Sequence, residues 1–248
     1  MTKIYYQIAL KCLIILAAGI CEAQPRVDST KLNETEKKAV DIFFSGIADQ
    51  SRLYNGPEYT FYDPLIKGNA YYNEAPKFEP GAVMYDGVLY SDVPLLYDLN
   101  KDCLAVLLLN KTNMIRLIDQ RVAYFDLLGH HFKRIDLNND KSIITPGFYD
   151  VIYGSDKLEI LAKRRKEILT KSTLASTFES YFNPQINYFI KLNGIYKSIN
   201  SKSALLSVFK DRKKDLEQYI KSNNLNFDDS QKERSMVQVA AYYDQLTN

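Results

Sequence analysis

The sequence predicts an α+β protein that is mainly β, with an antiparallel meander, barrel-like sheet or roll between an N-terminal helix and a small C-terminal helical cap. Three observations lead to this class. About ten short apolar runs follow one another between residues 81 and 200, separated by turns rich in Gly, Asn and Asp. Apolar residues recur at helical spacing in residues 24–50, and again after residue 200. Two stacked sheets are the alternative arrangement of the strands.

The first 23 residues have the features of a cleavable signal peptide. Lys3 and Lys11 are basic, and Cys12–Ile20 is an unbroken apolar run that suits a signal-peptide core but is too short to cross a bilayer. The small residue Ala23 provides a cleavage site. We therefore predict export to the periplasm or the extracellular space, with no transmembrane segment in the mature chain.

Lipid attachment at Cys21 is the alternative to cleavage after Ala23. The run Ala17–Cys21 has the outline of a lipoprotein signal, but the residue before the cysteine is the bulky Ile20 where a small residue is needed. The sequence therefore favours a released protein over a lipid-anchored one.

The composition of the mature chain excludes several classes of protein. Removal of Lys3, Lys11 and Glu22 with the signal leaves 30 of the 32 basic and 29 of the 30 acidic residues. This balance argues against a nucleic-acid-binding protein. Cys103 is then the one remaining cysteine, so an internal disulfide is excluded and a buried structural thiol is expected.

Four segments organise the chain. Residues 1–23 are the predicted signal, and 24–80 combine the N-terminal helix with an ordered, aromatic-rich segment. Residues 81–200 form the antiparallel β domain, in which Asp86-Gly87 and Asn193-Gly194 predict tight hairpins. Residues 201–248 form the helical segment, with Ser201, Asp211 and a Ser230–Glu233 capping box as predicted helix starts.

The two histidines are the catalytic candidates. His130 and His131 lie at a probable turn into a strand, where neighbouring side chains point to opposite faces and cannot hold one metal together. Either could act as a general base beside a carboxylate such as Asp150. The sequence contains no nucleophile motif of the common hydrolase families.

Two Asp-x-Asn-x-Asp runs are the metal candidates. Their oxygen ligands for calcium would be Asp98, Asn100 and Asp102 in the first run, and Asp136, Asn138 and Asp140 in the second. Neither run has the glycine and the glutamate that complete a calcium loop. Because Asp and Asn are also ordinary turn residues, the sequence favours β-turns at both places.

The run Lys163–Lys166 contains four consecutive basic residues at the end of a predicted strand. It could meet a polyanion such as an acidic glycan. The favoured interpretation is an exposed strand edge that its charges protect from aggregation.

Several phrases of the sequence resemble a group of secreted hypothetical proteins of Bacteroidetes. They are Leu53–Tyr59, Val83–Asp98, Leu128–Phe132, Pro146–Asp150 and Leu161–Arg165. The helical ending, Asn193–Lys197 followed by Ser203–Leu246, resembles that of related envelope proteins. The resemblance implies a periplasmic or cell-surface location, and no catalytic residue or cofactor comes with it.

The sequence therefore leads to three functional hypotheses. The first is a secreted, non-catalytic envelope protein that binds a protein or a glycan, because tyrosines are abundant and catalytic motifs are lacking. The second is a hydrolase that uses a histidine–carboxylate pair, and the third is a calcium-stabilised structural module. No cofactor is predicted, and the oligomeric state is left open.

Overall fold

A computed structural model describes residues 52–136, 143–172 and 178–247 of the chain. The predicted signal peptide and the predicted helix in residues 24–50 lie outside these described residues. No helix within the described ranges is both long and apolar enough to cross a membrane.

Ten antiparallel strands form a single sheet in the described part of the chain. The strands are β1 Glu79–Tyr85, β2 Val88–Asp98, β3 Cys103–Leu107, β4 Met114–Arg116, β5 Val122–Leu127, β6 His130–Ile135, β7 Gly147–Gly154, β8 Leu158–Ser172, β9 Phe178–Leu192 and β10 Ile195–Ser198. The mainly antiparallel β class predicted from the sequence is confirmed.

The order of the strands is that of a meander with one interruption. The sheet runs β10-β9-β8-β7-β6-β5-β1-β2-β3-β4, so the connection from β4 to β5 returns the chain across three strands. Because β4 and β10 are the two edges, the hydrogen-bonded order of the described strands is open and does not close into a barrel. The alternative prediction of two separate stacked sheets is wrong, because the described strands form one hydrogen-bonded sheet.

Tight turns fix the register of the hairpins, as their sequences predict. Asp86 and Gly87 both have positive φ and join β1 to β2, and Asn193 with Gly194 joins β9 to β10 in the same way. Such turns match the twist of the two flanking strands.

Aromatic rings fill the main core on one face of β1–β7. Phe125 and Phe132 stack with their centroids 4.8 Å apart, and the fully buried Tyr97 meets both rings and Phe148 edge to face. These residues come from four different strands, so the sheet must curve to bring them together. In a chain without tryptophan, Tyr and Phe supply the large rings of this core, beside buried Leu, Val and Ile side chains.

The aromatic-rich segment covers the opposite face of β2 and β3. Tyr59 and Tyr71 are buried there against Cys103 and Ala105. Cys103 is completely buried, as expected for a structural thiol. Burial, together with the nearby Asp98 carboxylate, raises the pKa of this thiol to about 12, so it stays protonated and unreactive at neutral pH.

Three helices close the fold: α1 Lys202–Val208, α2 Lys213–Ser222 and α3 Lys232–Thr247. They bury their apolar side chains against β8 and β9. Ser201 caps α1 as predicted, since its side chain accepts the Ala204 N–H.

The other two predicted caps are wrong. Arg212 precedes α2 without a side-chain cap, and the Asp228 carboxylate, which accepts the N–H groups of Ser230 and Gln231, replaces the predicted capping box.

The β8–β9 hairpin is longer than the sequence predicts. Both strands have 15 residues, whereas the apolar runs Leu158–Lys163 and Tyr188–Leu192 by themselves predict much shorter strands. The outer halves mix charged, polar and apolar residues, and the outer half of β9 contains Pro184, so they lack the apolar alternation that identifies a strand. Cross-strand pairing continues in register from Leu158 with Leu192 to Ser172 with Phe178.

The predicted exposed edge at Lys163–Lys166 is wrong for three of its four residues, because Lys163, Arg164 and Lys166 lie between neighbouring elements and are paired with carboxylates. Only Arg165 is exposed. Lys163 is 2% exposed and bonds to Asp102 at 2.5 Å. Burial lowers the pKa of Lys163, and the Asp102 carboxylate partly offsets this effect. Lys166 is 4% exposed and bonds to Glu74 at 2.5 Å and to the Asn69 carbonyl at 2.9 Å.

Gly147 makes room for the Lys163–Asp102 pair, and its substitution tests the importance of that pair. A Cβ at Gly147, where φ is +139°, would overlap the Asp102 carboxylate and the Lys163 ammonium group. We expect Gly147→Ala to lower the free energy of unfolding by about 2–3 kcal/mol, measured by urea denaturation. Gly154→Ala is the control without crowding or a positive φ, since its Cβ would meet Val151 at an ordinary 3.7 Å; equal stability of the two variants would contradict the expected cost of crowding and backbone strain at Gly147.

Candidate functional site

The structure places His130 directly beside Asp150. A tight turn at Leu128 and Gly129, both with positive φ, starts β6 at His130. Phe132 of β6 pairs with Asp150 of β7, so His130, two residues earlier, lies diagonally across from that carboxylate. Its Nδ1 is 2.9 Å from Oδ2 of Asp150. The sequence-predicted histidine–carboxylate pair is therefore present as a contact.

Asp150 belongs to a larger charged network. It is completely buried, and its Oδ2 also accepts two hydrogen bonds from Arg164 at 2.6 and 2.9 Å. Arg164 reaches further to the Glu233 carboxylate of α3 at 2.9 Å, and Tyr188 donates to Glu233 at 3.1 Å. Burial alone would lower the pKa of Arg164, but the Glu233 and Asp150 carboxylates raise it above its ordinary value.

A cavity of about 430 Å³ opens beside this network. The start of β6, the middle of β7 and one face of α3 line it with Gly129, His130, His131, Val151, Ile152, Glu233, Arg234, Val237 and Gln238. A cavity of this size lies within the range of small-molecule sites. His131 reaches the cavity from β6 as well, although its Nδ1 turns to Asp126 at 2.7 Å on the exposed side.

The described lining of the cavity contains a possible general base, His130, but no side-chain nucleophile of the kind that hydrolases use. A histidine held by a carboxylate is the base half of a hydrolase triad. Within the described residues, the cavity lining contains no Ser, Thr or Cys. Asp150 shares its charge with Arg164 as well as with His130. The arrangement can orient His130 and can bind a ligand, but it does not by itself supply a covalent route.

The first calcium candidate is a hydrogen-bonded turn. The buried Asp98 accepts hydrogen bonds from the hydroxyls of Tyr59 and Tyr62 at 2.7 and 2.9 Å, and from two backbone N–H groups of the turn. Asn100 donates to the Lys166 carbonyl, and Asp102 accepts from Tyr97. The donors take up the oxygens that a cation would need.

The second calcium candidate is described only in part. Asp136 is exposed and pairs with Arg134 through two hydrogen bonds of 3.0 and 3.1 Å. Asn138 and Asp140 lie outside the described residues. Across the described ranges, no three His, Cys, Asp or Glu side chains are close enough to hold a metal ion together.

A second surface feature is the outer edge of β8. On this side β7 pairs with β8 only as far as Ala162. Beyond it, the described residues contribute one backbone hydrogen bond, from the Lys166 N–H to the Leu99 carbonyl. Alternate residues of a strand present their N–H and C=O groups to the same edge, so Ile168 and Thr170 present theirs to an edge that no described strand pairs with.

Apolar side chains are exposed along the same hairpin. Four of the ten exposed large apolar residues in the described ranges belong to β8 and β9: Ile168, Leu169, Phe178 and Ile186. Phe178 is 81% exposed. A long unpaired strand edge with exposed apolar side chains is a template for the addition of another strand.

Sequence reasoning did not identify Arg164 and Glu233 as partners of the histidine candidate. Arg164 belongs to the basic run for which the sequence predicts an exposed strand edge. Glu233 belongs to the predicted capping box. The two residues are 69 positions apart, and no local pattern connects them.

Comparison of the chain with protein-family models, with curated proteins and with solved structures finds no match. The functional argument therefore depends on the geometry of the cavity and of the open strand edge.

Asp150 is expected to stabilise the fold more than His130 does. Asp150→Asn leaves the buried Arg164 without half of its charge compensation, which we expect to cost about 3 kcal/mol of unfolding free energy. His130→Asn removes a side chain that is 38% exposed, with an expected cost below about 1 kcal/mol. Urea denaturation of both variants measures the difference, and a greater cost for His130→Asn would refute a mainly structural role for Asp150.

Proposed function

We propose that the protein is an exported, non-catalytic envelope protein that binds a protein partner through the outer half of the β8–β9 hairpin. The open edge of β8 beyond Lys166 is the observation that carries this proposal. In strand addition, an extended segment of the partner forms backbone hydrogen bonds with such an edge, and neighbouring side chains give specificity.

Three features of the hairpin support this binding mode. The edge offers the backbone groups of Ile168 and Thr170, and Leu169 lies between them. On the other side of the hairpin, Ser180 and Phe182 already bond to the backbone of Lys67, while Pro184 has no N–H to offer. The described residues therefore leave β8, rather than β9, as the edge with donors for a partner.

A proline at position 170 tests the proposal. It would remove the N–H that faces the open edge, and Pro184 shows that the hairpin accepts proline at an outward-facing position. We expect Thr170→Pro to reduce partner binding at least about tenfold, a loss equivalent to one good hydrogen bond. Thr170→Val is the matched control, because it keeps the N–H and removes only the hydroxyl.

The measurement combines capture from envelope extract with cross-linking mass spectrometry. The proposal requires a protein that cross-links to the β8–β9 hairpin of the wild type and of Thr170→Val, and that is lost with Thr170→Pro. Recovery of the same proteins by all three forms, or cross-links located elsewhere in the chain, would reject it. Ile195→Ser, which removes a 62% exposed side chain from β10, controls for general loss of apolar surface.

A hydrolase is the second candidate function, because His130 and Asp150 are in contact beside the cavity. Here His130 would activate a water molecule while Asp150 holds its Nδ1–H. Chromogenic esters, phosphates and glycosides provide the test. Turnover by the wild type that disappears in His130→Asn would establish this function, whereas turnover unchanged by the substitution would exclude His130 as its base.

A further inference from the structure

The cavity beside His130 contains polar groups that the fold does not use. Arg234 is exposed at its rim and forms no hydrogen bond or ion pair with the rest of the described chain; the same holds for the Gln238 amide. The neighbouring Glu233 is different, since Arg164 and Tyr188 already bond to its carboxylate. Arg234 is thus the unpaired formal charge of the described lining.

His130 adds a hydrogen-bond acceptor to this lining. Its Nδ1 faces the Asp150 carboxylate, which cannot donate when ionised, so the ring proton of a neutral His130 belongs on Nδ1. The Nε2 atom then carries a lone pair, and no hydrogen bond to it is recorded within the described residues. A ligand hydroxyl group would satisfy it.

Aliphatic side chains form another part of the cavity wall. Val151, Ile152 and Val237 lie between the polar groups. Glu233, whose charge Arg164 balances, and His131, which bonds to Asp126, also line the cavity. The unpaired groups are one cation, one neutral acceptor and one amide beside an aliphatic wall, and together they complement a ligand that carries a carboxylate, hydroxyl groups and C–H surface.

We infer that this cavity binds a hydroxy acid of the kind presented by an acidic sugar. Arg234 pairs with the carboxylate, the Nε2 atom of His130 accepts a hydrogen bond from one hydroxyl, and Gln238 bonds to another. A free uronic acid and a uronate residue within a polysaccharide share this chemistry. The site is separate from the β8 edge, so it does not depend on the proposed binding of a protein partner.

Titration calorimetry with three probes tests the inference: D-glucuronate, a short oligouronate and D-glucose. We expect the wild type to bind glucuronate at least about tenfold more tightly than glucose, because only the acid pairs with Arg234. Tighter binding of the oligouronate than of glucuronate would identify a polysaccharide as the source, and equal affinity would identify the free acid.

Substitutions then assign the site. Arg234→Gln should remove the preference for the acid, and Lys214→Gln, the same charge change on the exposed face of α2, should leave it intact. Gln238→Leu should weaken the binding of both sugars, with thermal melting as a check that each variant is folded.

Three results would overturn the inference: no binding of any probe, equal affinity for glucuronate and glucose, or a preference for the acid that survives Arg234→Gln. Cross-linking at the β8 edge should be unchanged in Arg234→Gln, which separates the two sites.

Discussion

Three basic residues that are largely buried on strand β8 constrain the arrangement of the described domain. Burying an ammonium or guanidinium group costs several kcal/mol unless an opposite charge and further hydrogen bonds accompany it. Lys163, Arg164 and Lys166 each meet this requirement with a partner from a different element. These ion pairs connect β8 to four other parts of the fold. Asp102 belongs to the β2–β3 turn and Asp150 to β7, while Glu233 belongs to α3 and Glu74 to the aromatic segment.

The alternation of side chains along β8 divides these partners between the two faces of the sheet. Lys163 points to the face that carries Tyr149, while Arg164 and Lys166 point to the face where α3 and the aromatic segment pack. One strand can therefore hold both layers in register. The arrangement also brings the Lys166 N–H to the Leu99 carbonyl, so the end of β2 approaches β8 without a strand between them.

Features that depend on a few adjacent residues could be predicted from the sequence. The Asp86-Gly87 and Asn193-Gly194 turns and the Ser201 cap are set by local backbone preferences, and the structure contains all three. The burial of Lys163 and Lys166 could not be predicted, because basic residues resemble an exposed surface when their partners are unknown. The contact of His130 with Asp150 could be predicted only in part. The residue types suggest it, but the register of β6 on β7 creates it, and sequence alone does not give that register.

The distribution of satisfied and unsatisfied polar groups separates stability from function in this protein. The sequence or the burial of their side chains marks four charged residues as candidates for a functional role. Each of them already forms hydrogen bonds within the fold: Asp98, Asp102, Asp150 and Arg164. Three groups at the surface are left without partners by the described fold: the Arg234 guanidinium, the Gln238 amide and the backbone of the β8 edge. Among the buried groups, one carboxylate oxygen of Asp150 also lacks a hydrogen bond. A group that already has its partners gains little from a ligand, whereas an unengaged group beside a cavity or along an open edge gains a new bond. The binding functions are therefore assigned to the surface groups, and the buried charges to the stability of the sheet that presents them.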